Sequence, residues 1–215
     1  NFMWYFPKIN SESFDFNITN LHPISDETMA IFFENSISYV NWDSDASAYR
    51  YYKSKLQVGC KKGSDVLTTF DGKYTIFASS RGLVAMSYQD FIASTEQSLT
   101  YLSDTIYSVF INYITEPKST NQIKLFKFGY WIVIYKQDSK SGFIFDTRNN
   151  SWWPVAGVDN SVKFVTVDDS VKLLSSGKIY ELNKLDTNYF DYTGKERKKI
   201  EWFVKSQKLH LKNMI

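Results

Sequence analysis

Phe143-Ile144-Phe145-Asp146-Thr147-Arg148-Asn149-Asn150-Ser151-Trp152-Trp153-Pro154 is an apolar strand that runs into a polar turn and leaves on two tryptophans. Phe143 and Phe145 alternate with Ile144, so the two-residue period of a strand puts an aromatic face inside. Asp146 starts a turn in which Asn149 and Asn150 tolerate positive φ, and the chain re-enters a strand at Trp152-Trp153. The stretch reads as one β-hairpin edge, with both tryptophans wedged between neighbouring units, and similar edges recur on both sides of it.

Towards the N-terminus, Thr28 to Phe33, a two-residue Glu34-Asn35 turn and Ser36 to Val40 form a clear hairpin pattern. Before it, the loose alternation of Phe14, Phe16 and Ile18 with Ser13, Asp15 and Asn17 predicts a strand that ends at Asn20, His22 and Pro23. Asn41 to Tyr52 is polar and rich in Ser, Asp and Tyr, which predicts a loop. Further on, Asp71-Gly72 is a hairpin dipeptide after Asp65 to Phe70, and Lys73 to Ala78 pairs with Leu83 to Tyr88. Residues 89 to 108 carry the one helix-compatible pattern. Strands are expected again at Val109 to Ile114, Ile123 to Phe128, Gly129 to Tyr135, Val162 to Val167, Val171 to Leu174 and Lys178 to Asn183.

The units repeat. Ile76 to Val84 and Leu173 to Tyr180 are each a strand, a corner of serines and glycine and a second strand, and Phe32 to Tyr39 and Tyr135 to Phe145 share the rhythm. Four units about 40 to 50 residues apart match the blade period of a β-propeller. A β-sandwich is the competing reading. The expectation is an all-β, propeller-like array of about four antiparallel blades within a larger propeller. Residues 1–27 would be lead-in strands completing a neighbouring blade, 28–193 the blades, and 194–215 a basic exit strand. The opening Asn1-Phe2-Met3-Trp4-Tyr5-Phe6, already strand-like, predicts a fragment or a processed product.

Composition agrees with strands. Of 215 residues, 17 are Phe, 15 Tyr and 6 Trp, a content that favours pleated, half-buried surface over helix. The lone Cys60 has no partner for an intramolecular disulfide and no second sulfur at metal spacing, so it reads as a buried structural thiol. No run approaches the ~20 apolar residues of a membrane-spanning helix.

Catalytic groupings are not legible. His22 and His210 stand near opposite ends, and no Ser/His/Asp arrangement follows from local spacing. Asp43-Ser44-Asp45 lacks the glycine and the bidentate glutamate of a calcium loop. Arg50, Arg81 and Arg148 lie on separate turns, unlike the clustered arginines of a sialidase. Neither an enzyme nor a cofactor is expected. Two binding surfaces remain. Trp42, Trp152 and Trp153 are candidate interface or glycan-stacking aromatics. Residues 194–215 hold Lys195, Arg197, Lys198, Lys199, Lys205, Lys208 and Lys212 against two glutamates, so this end is +5 and the rest of the chain −3. Seven basic groups suit a phosphate backbone, while lysines on an edge strand also block pairing with foreign strands.

Four stretches together resemble a known family: Ile31 to Tyr39; Val58-Gly59-Cys60 with Phe77 to Leu83; Phe143 to Trp152; and Gly177 to Leu182 followed by Asp191-Tyr192-Thr193-Gly194-Lys195 and the exit strand to Lys212. In this order they are similar to the propeller part of tail nozzle proteins of short-tailed bacteriophages, also called packaged-DNA stabilisation or tail tubular B-type proteins. The resemblance implies a structural virion protein of the tail. It further implies a homo-oligomeric ring, commonly a hexamer, below the portal and adaptor, with fibres docked on it. Its central channel would hold the double-stranded genome and release it at ejection. Such proteins also have a separate channel-lining region, which these residues lack.

Overall fold

A computed structural model describes residues 16–45, 47–69, 72–93, 99–116, 122–136, 139, 141–156, 163–167, 170–175 and 178–182. They belong to one compact unit, Asn1–Leu182. Four antiparallel sheets follow one another along the chain. Blade 1 is β1 (Asn20–Pro23), β2 (Thr28–Phe32), β3 (Ile37–Asp43) and β4 (Ala48–Lys53). Blade 2 is β5 (Val66–Thr68), β6 (Tyr74–Ser79), β7 (Gly82–Ser87) and β8 (Thr100–Tyr101). Blade 3 is β9 (Ile123–Phe128), β10 (Trp131–Lys136), β11 (Ser141–Asp146) and β12 (Ser151–Ala156). Blade 4 has three strands among the described residues, β13 (Lys163–Val167), β14 (Ser170–Ser175) and β15 (Lys178–Leu182). In each sheet the spatial order is the sequence order. These are the meanders of propeller blades, without the crossovers between sheets that a Greek-key sandwich needs.

The repeating units named from the sequence are all the central hairpin of a blade: β2–β3, β6–β7, β10–β11 and β14–β15. The Phe143-to-Pro154 stretch is the outer hairpin of blade 3, with Phe145 opposite Trp152 and Asp146 opposite Ser151. Of its two turn asparagines only Asn150 takes positive φ, 54°.

Four expectations fail, three of them because long-range packing outweighs local composition. Asn20 to Pro23 is a strand, not a strand end, since Leu21 pairs with Ile31 and the proline sits at the strand's last position. Asn41 to Tyr52 is no loop. It holds the end of β3 and most of β4, closed by Tyr39 stacked on Tyr52 and by Trp42 edge-on to Tyr49. Val109 to Ile114 is no strand but part of helix α2 (Tyr107–Thr115), in which Phe110 and Ile114, four residues apart, are buried while Val109 is exposed. Gly129-Tyr130 is also a turn and not strand, with Gly129 at φ 61°. The 89-to-108 region contains the short helix α1 (Tyr88–Ala93), β8 and a 3-10 turn at Asp104–Ile106. The expected strand before residue 16 lies outside the described residues.

The core lies between blades. Ala30, Phe32 and Ile37 of blade 1 pack with Leu56, Val58 and Cys60 of the connector and with Phe77, Val84 and Met86 of blade 2. Ile76, Ala78, Leu83 and Ala85 on the other side of blade 2 pack through α2 onto Ile132, Ile134 and Phe145 of blade 3. The α2 helix is a wedge in this second junction. Its last carbonyls are satisfied by two lysines, Lys61 Nζ to Ile114 O at 2.5 Å and Lys136 Nζ to Glu116 O at 2.6 Å, and cations suit the negative end of a helix.

Candidate functional site

Among the described residues two places gather polar side chains: the inner rim and the turn end of blade 3. The first strands of successive blades, β1, β5, β9 and β13, come alongside one another, as inner strands of a propeller do. Asn20 Nδ2 donates to Ser64 O at 2.9 Å, and His22 Nε2 lies 2.6 Å from Thr68 Oγ1, joining β1 to the β5 region. Ser64 forms a parallel bridge with Ile123, Asp65 N donates to Ile123 O at 2.8 Å, and Ile123 N donates to Gly63 O at 3.1 Å. The Asp65 carboxylate accepts from Lys124 Nζ at 3.0 Å and from Leu125 N at 3.3 Å. Burial lowers the pKa of His22, so the imidazole is neutral at pH 7 and hydrogen-bonds to Thr68 uncharged. Chemically this is a row of clasps, each binding one inner strand to the next.

At the turn end of blade 3, Asp146 is a hub. It accepts from Trp131 Nε1 at 3.0 Å, from Arg148 N and Nε at 3.0 Å each, and from Arg148 Nη2 at 2.6 Å. The hydrogen bonds from the Arg148 side chain hold its carboxyl well below the usual carboxylate range, against the opposing effect of desolvation. Arg148 also lies over the Tyr130 ring, 5.1 Å from its centroid, and Thr147 Oγ1 donates to Tyr130 O at 2.9 Å. A carboxylate so committed is a turn lock and not a proton donor.

The sequence-selected aromatics separate. Trp152 faces the blade 2–blade 3 junction, among Phe110, Phe143 and Phe145, and its Nε1 donates to Leu102 O at 3.1 Å. Trp153, its chain neighbour, points to the opposite face and is 46% exposed, with Nε1 donating to Ser151 Oγ at 3.0 Å. The wedge reading therefore holds for Trp152 and fails for Trp153, because consecutive strand residues alternate faces. Trp42 is half-buried against Tyr49 on blade 1. The basic residues Lys195, Arg197, Lys198, Lys199, Lys205, Lys208 and Lys212 lie outside the described residues.

The other sequence candidates are structural. Cys60 is buried, its thiol pushed up to about 12 chiefly by burial, so it carries no thiolate at pH 7. Asp43 pairs with Arg50 at 2.6 Å and accepts from Asp45 N at 3.0 Å, which makes Asp43-Ser44-Asp45 a turn. Among the described residues no three His, Cys, Asp or Glu side chains converge to hold a metal ion. Sequence reasoning missed the parts played by Asn20, Asp65, Lys61 and Lys136. Their partners are 20 to 60 residues away, and nothing in the flanking sequence marks them.

No protein-family model matches the sequence. No curated protein matches it. Solved structures do show a likeness at low identity. Kluyvelomyces marxianus Hsv2 aligns at 14% identity and TM-score 0.45 over 90% of this chain and 56% of its own. The U3-55K structure and the RRP9 WD40 repeats each align at 11% identity and TM-score 0.39 over 79% of this chain. The chain spans about half the length of these structures.

Proposed function

We propose that this chain is a structural, non-catalytic propeller of a bacteriophage tail. It forms part of the homo-oligomeric nozzle around the genome exit channel and docks adaptor and fibre proteins. The observation that carries the reading is the clasped inner rim, in which Asn20, His22, Asp65 and Lys124 tie the first strands of blades 1 to 3 together. A wall around a passing polymer must resist spreading, and clasps between inner strands supply that resistance where the blades are narrowest. The dry inter-blade clusters supply it further out. The mechanism is passive: the blades are a rigid surface, and conformational change belongs to the proteins docked on them. Immunogold electron microscopy and mass spectrometry of purified virions test the assignment. Label at the tail is expected; a protein found only free in the lysate and absent from virions overturns it.

One observation favours a second reading, host-glycan binding. Trp153 on blade 3 is half-exposed and Tyr130 is 65% exposed, and such rings stack on sugar faces. Trp152, in the core, plays no part in it. No glycan-array signal for the wild-type chain, and adsorption unchanged by Trp153→Ala, would remove this reading.

A further inference from the structure

At the turn end of blade 3 the polar atoms sort by role. Two turns meet there, Gly129-Tyr130 and the four residues from Thr147 to Asn150. Thr147 laces them, its N–H and its Oγ1 both donating to Tyr130 O, at 3.0 and 2.9 Å. Asp146 stands opposite Ser151, and Trp153, two residues further along β12, shares their face of the sheet.

The acceptors of this cluster are engaged internally. The buried Asp146 carboxylate takes Trp131 Nε1 and the Arg148 side chain. Ser151 Oγ accepts from Trp153 Nε1 at 3.0 Å and donates to Asn149 Oδ1 at 2.7 Å. Asn149 Oδ1 also accepts from Ser151 N at 3.2 Å. A backbone N–H can only donate, so the oxygen of the Asn149 amide faces the turn. Its Nδ2, with two protons, is turned outward on an exposed residue.

The donors are not exhausted. Arg148 commits Nε and Nη2 to Asp146, and this side-on pairing turns Nη1 away from the carboxylate, on a side chain that is 55% exposed. The guanidinium lies over one face of the Tyr130 ring, which fixes its plane. Trp153 is pinned through Nε1, so its half-exposed indole is held in one orientation. Among the described residues, this end of blade 3 therefore offers an oriented aromatic face with hydrogen-bond donors beside it and their acceptors turned inward. A sugar hydroxyl donates as well as accepts, whereas an ionised carboxylate only accepts, so a donor-only rim matches the carboxylate.

We propose that the turn end of blade 3 is a subsite for an acidic sugar, whose pyranose ring stacks on Trp153 and whose carboxylate accepts from Asn149 Nδ2 and Arg148 Nη1. Asp146 and Ser151, which hold Arg148 and Trp153 in place, are directly opposite, roughly 5 Å apart at Cβ. One sugar residue thus meets the ring and the donors together. The inference rests on the host-glycan reading and narrows it to carboxylate-bearing glycans.

Isothermal titration calorimetry of the 215-residue chain with tetragalacturonate and sialyllactose, against uncharged maltotetraose and lactose, tests it. At least one acidic sugar should bind tenfold or more tighter than its uncharged counterpart. Trp153→Ala should weaken that binding at least tenfold. Asn149→Asp keeps an oxygen to accept from Ser151 and so keeps the turn, but it replaces the outward donor by a second carboxylate oxygen. It should weaken the acidic sugar at least tenfold with an unchanged melting temperature, and Val109→Ala, exposed on α2, should change nothing. Equal or tighter binding of the uncharged sugars, or acidic-sugar binding that survives Trp153→Ala or Asn149→Asp, overturns the inference and leaves the broader glycan reading standing. Silence from both acidic sugars overturns it too, and the glycan reading falls with it only if the uncharged sugars and the glycan array are silent as well.

Discussion

Replacing Trp152 by alanine separates the two faces of blade 3. Trp152 packs its ring 5.0 Å from Phe145 and 5.6 Å from Phe110, centroid to centroid, and donates to the Leu102 carbonyl. Truncating a large core aromatic costs ~3–5 kcal/mol; because Trp152 is partly buried, the lower end applies, roughly 3 kcal/mol. The stranded Leu102 carbonyl adds about 1 kcal/mol. Trp152→Ala should therefore lose roughly 3–4 kcal/mol. Trp152→Phe, which keeps the ring and loses the N–H, should lose about 1–2 kcal/mol. Trp153→Ala, on the exposed face, should lose less than about 1 kcal/mol. Urea unfolding followed by far-UV circular dichroism reads all three without depending on tryptophan emission. Equal losses for Trp152→Ala and Trp153→Ala would refute the assignment of faces, and a Trp152→Phe as costly as Trp152→Ala would refute the division between packing and hydrogen bond.

Other outcomes follow from particular contacts. A Cβ at Gly59 would stand 2.1 Å from Phe33 O and 2.7 Å from Ser36 N, both backbone atoms, so Gly59→Ala should cost about 3 kcal/mol or more, and an unchanged melting temperature would contradict the close connector. The pKa of His22 is lowered on folding below its ordinary 6.5, so the unfolded chain binds the extra proton and stability falls as pH drops below 6.5; His22→Gln should flatten that slope in melts between pH 5 and pH 8, and an identical slope counts against the His22–Thr68 clasp. Cys60 should react with a disulfide reagent only at the rate of unfolding, and stoichiometric labelling of the folded chain at pH 8 would disprove its burial. If the seven basic groups of 194–215 track double-stranded DNA, log K against log salt should have a slope of about −6, whereas a flat dependence removes the contact.

The sequence discloses what is local in this fold and hides what is not. Each central hairpin joins strands through a short turn, so alternation and turn chemistry a few residues apart suffice: Glu34-Asn35 and Ser80-Arg81 are both two-residue turns. The outer hairpin of blade 1 escaped because Ala48 to Lys53 is exposed at five of its six positions and its stability comes from cross-strand aromatic pairs, which composition reads as a polar loop. Helix α2 escaped for the opposite reason. Val109, Phe110, Ile111, Tyr113 and Ile114 favour strand locally, and only the junction they fill, with Phe110 and Ile114 inward, selects the helix.

The candidate site was the least legible part. Asp65 is 60 residues from the Leu125 amide that it accepts from, and Asn20 is 44 from the Ser64 carbonyl to which it donates. Such clasps exist only once consecutive blades have stacked, so a single strand carries no trace of them. The same reasoning locates the information that is present. The face that a blade turns to the one before it must match the face it meets, and this constraint writes apolar residues at fixed distances from each central hairpin. Phe77 opposite Val84 in blade 2 and Ile134 opposite Phe143 in blade 3 stand at the same distance from the ends of their hairpins, and both pairs pack towards the preceding blade. The register of the central hairpins therefore carries which faces are buried between blades.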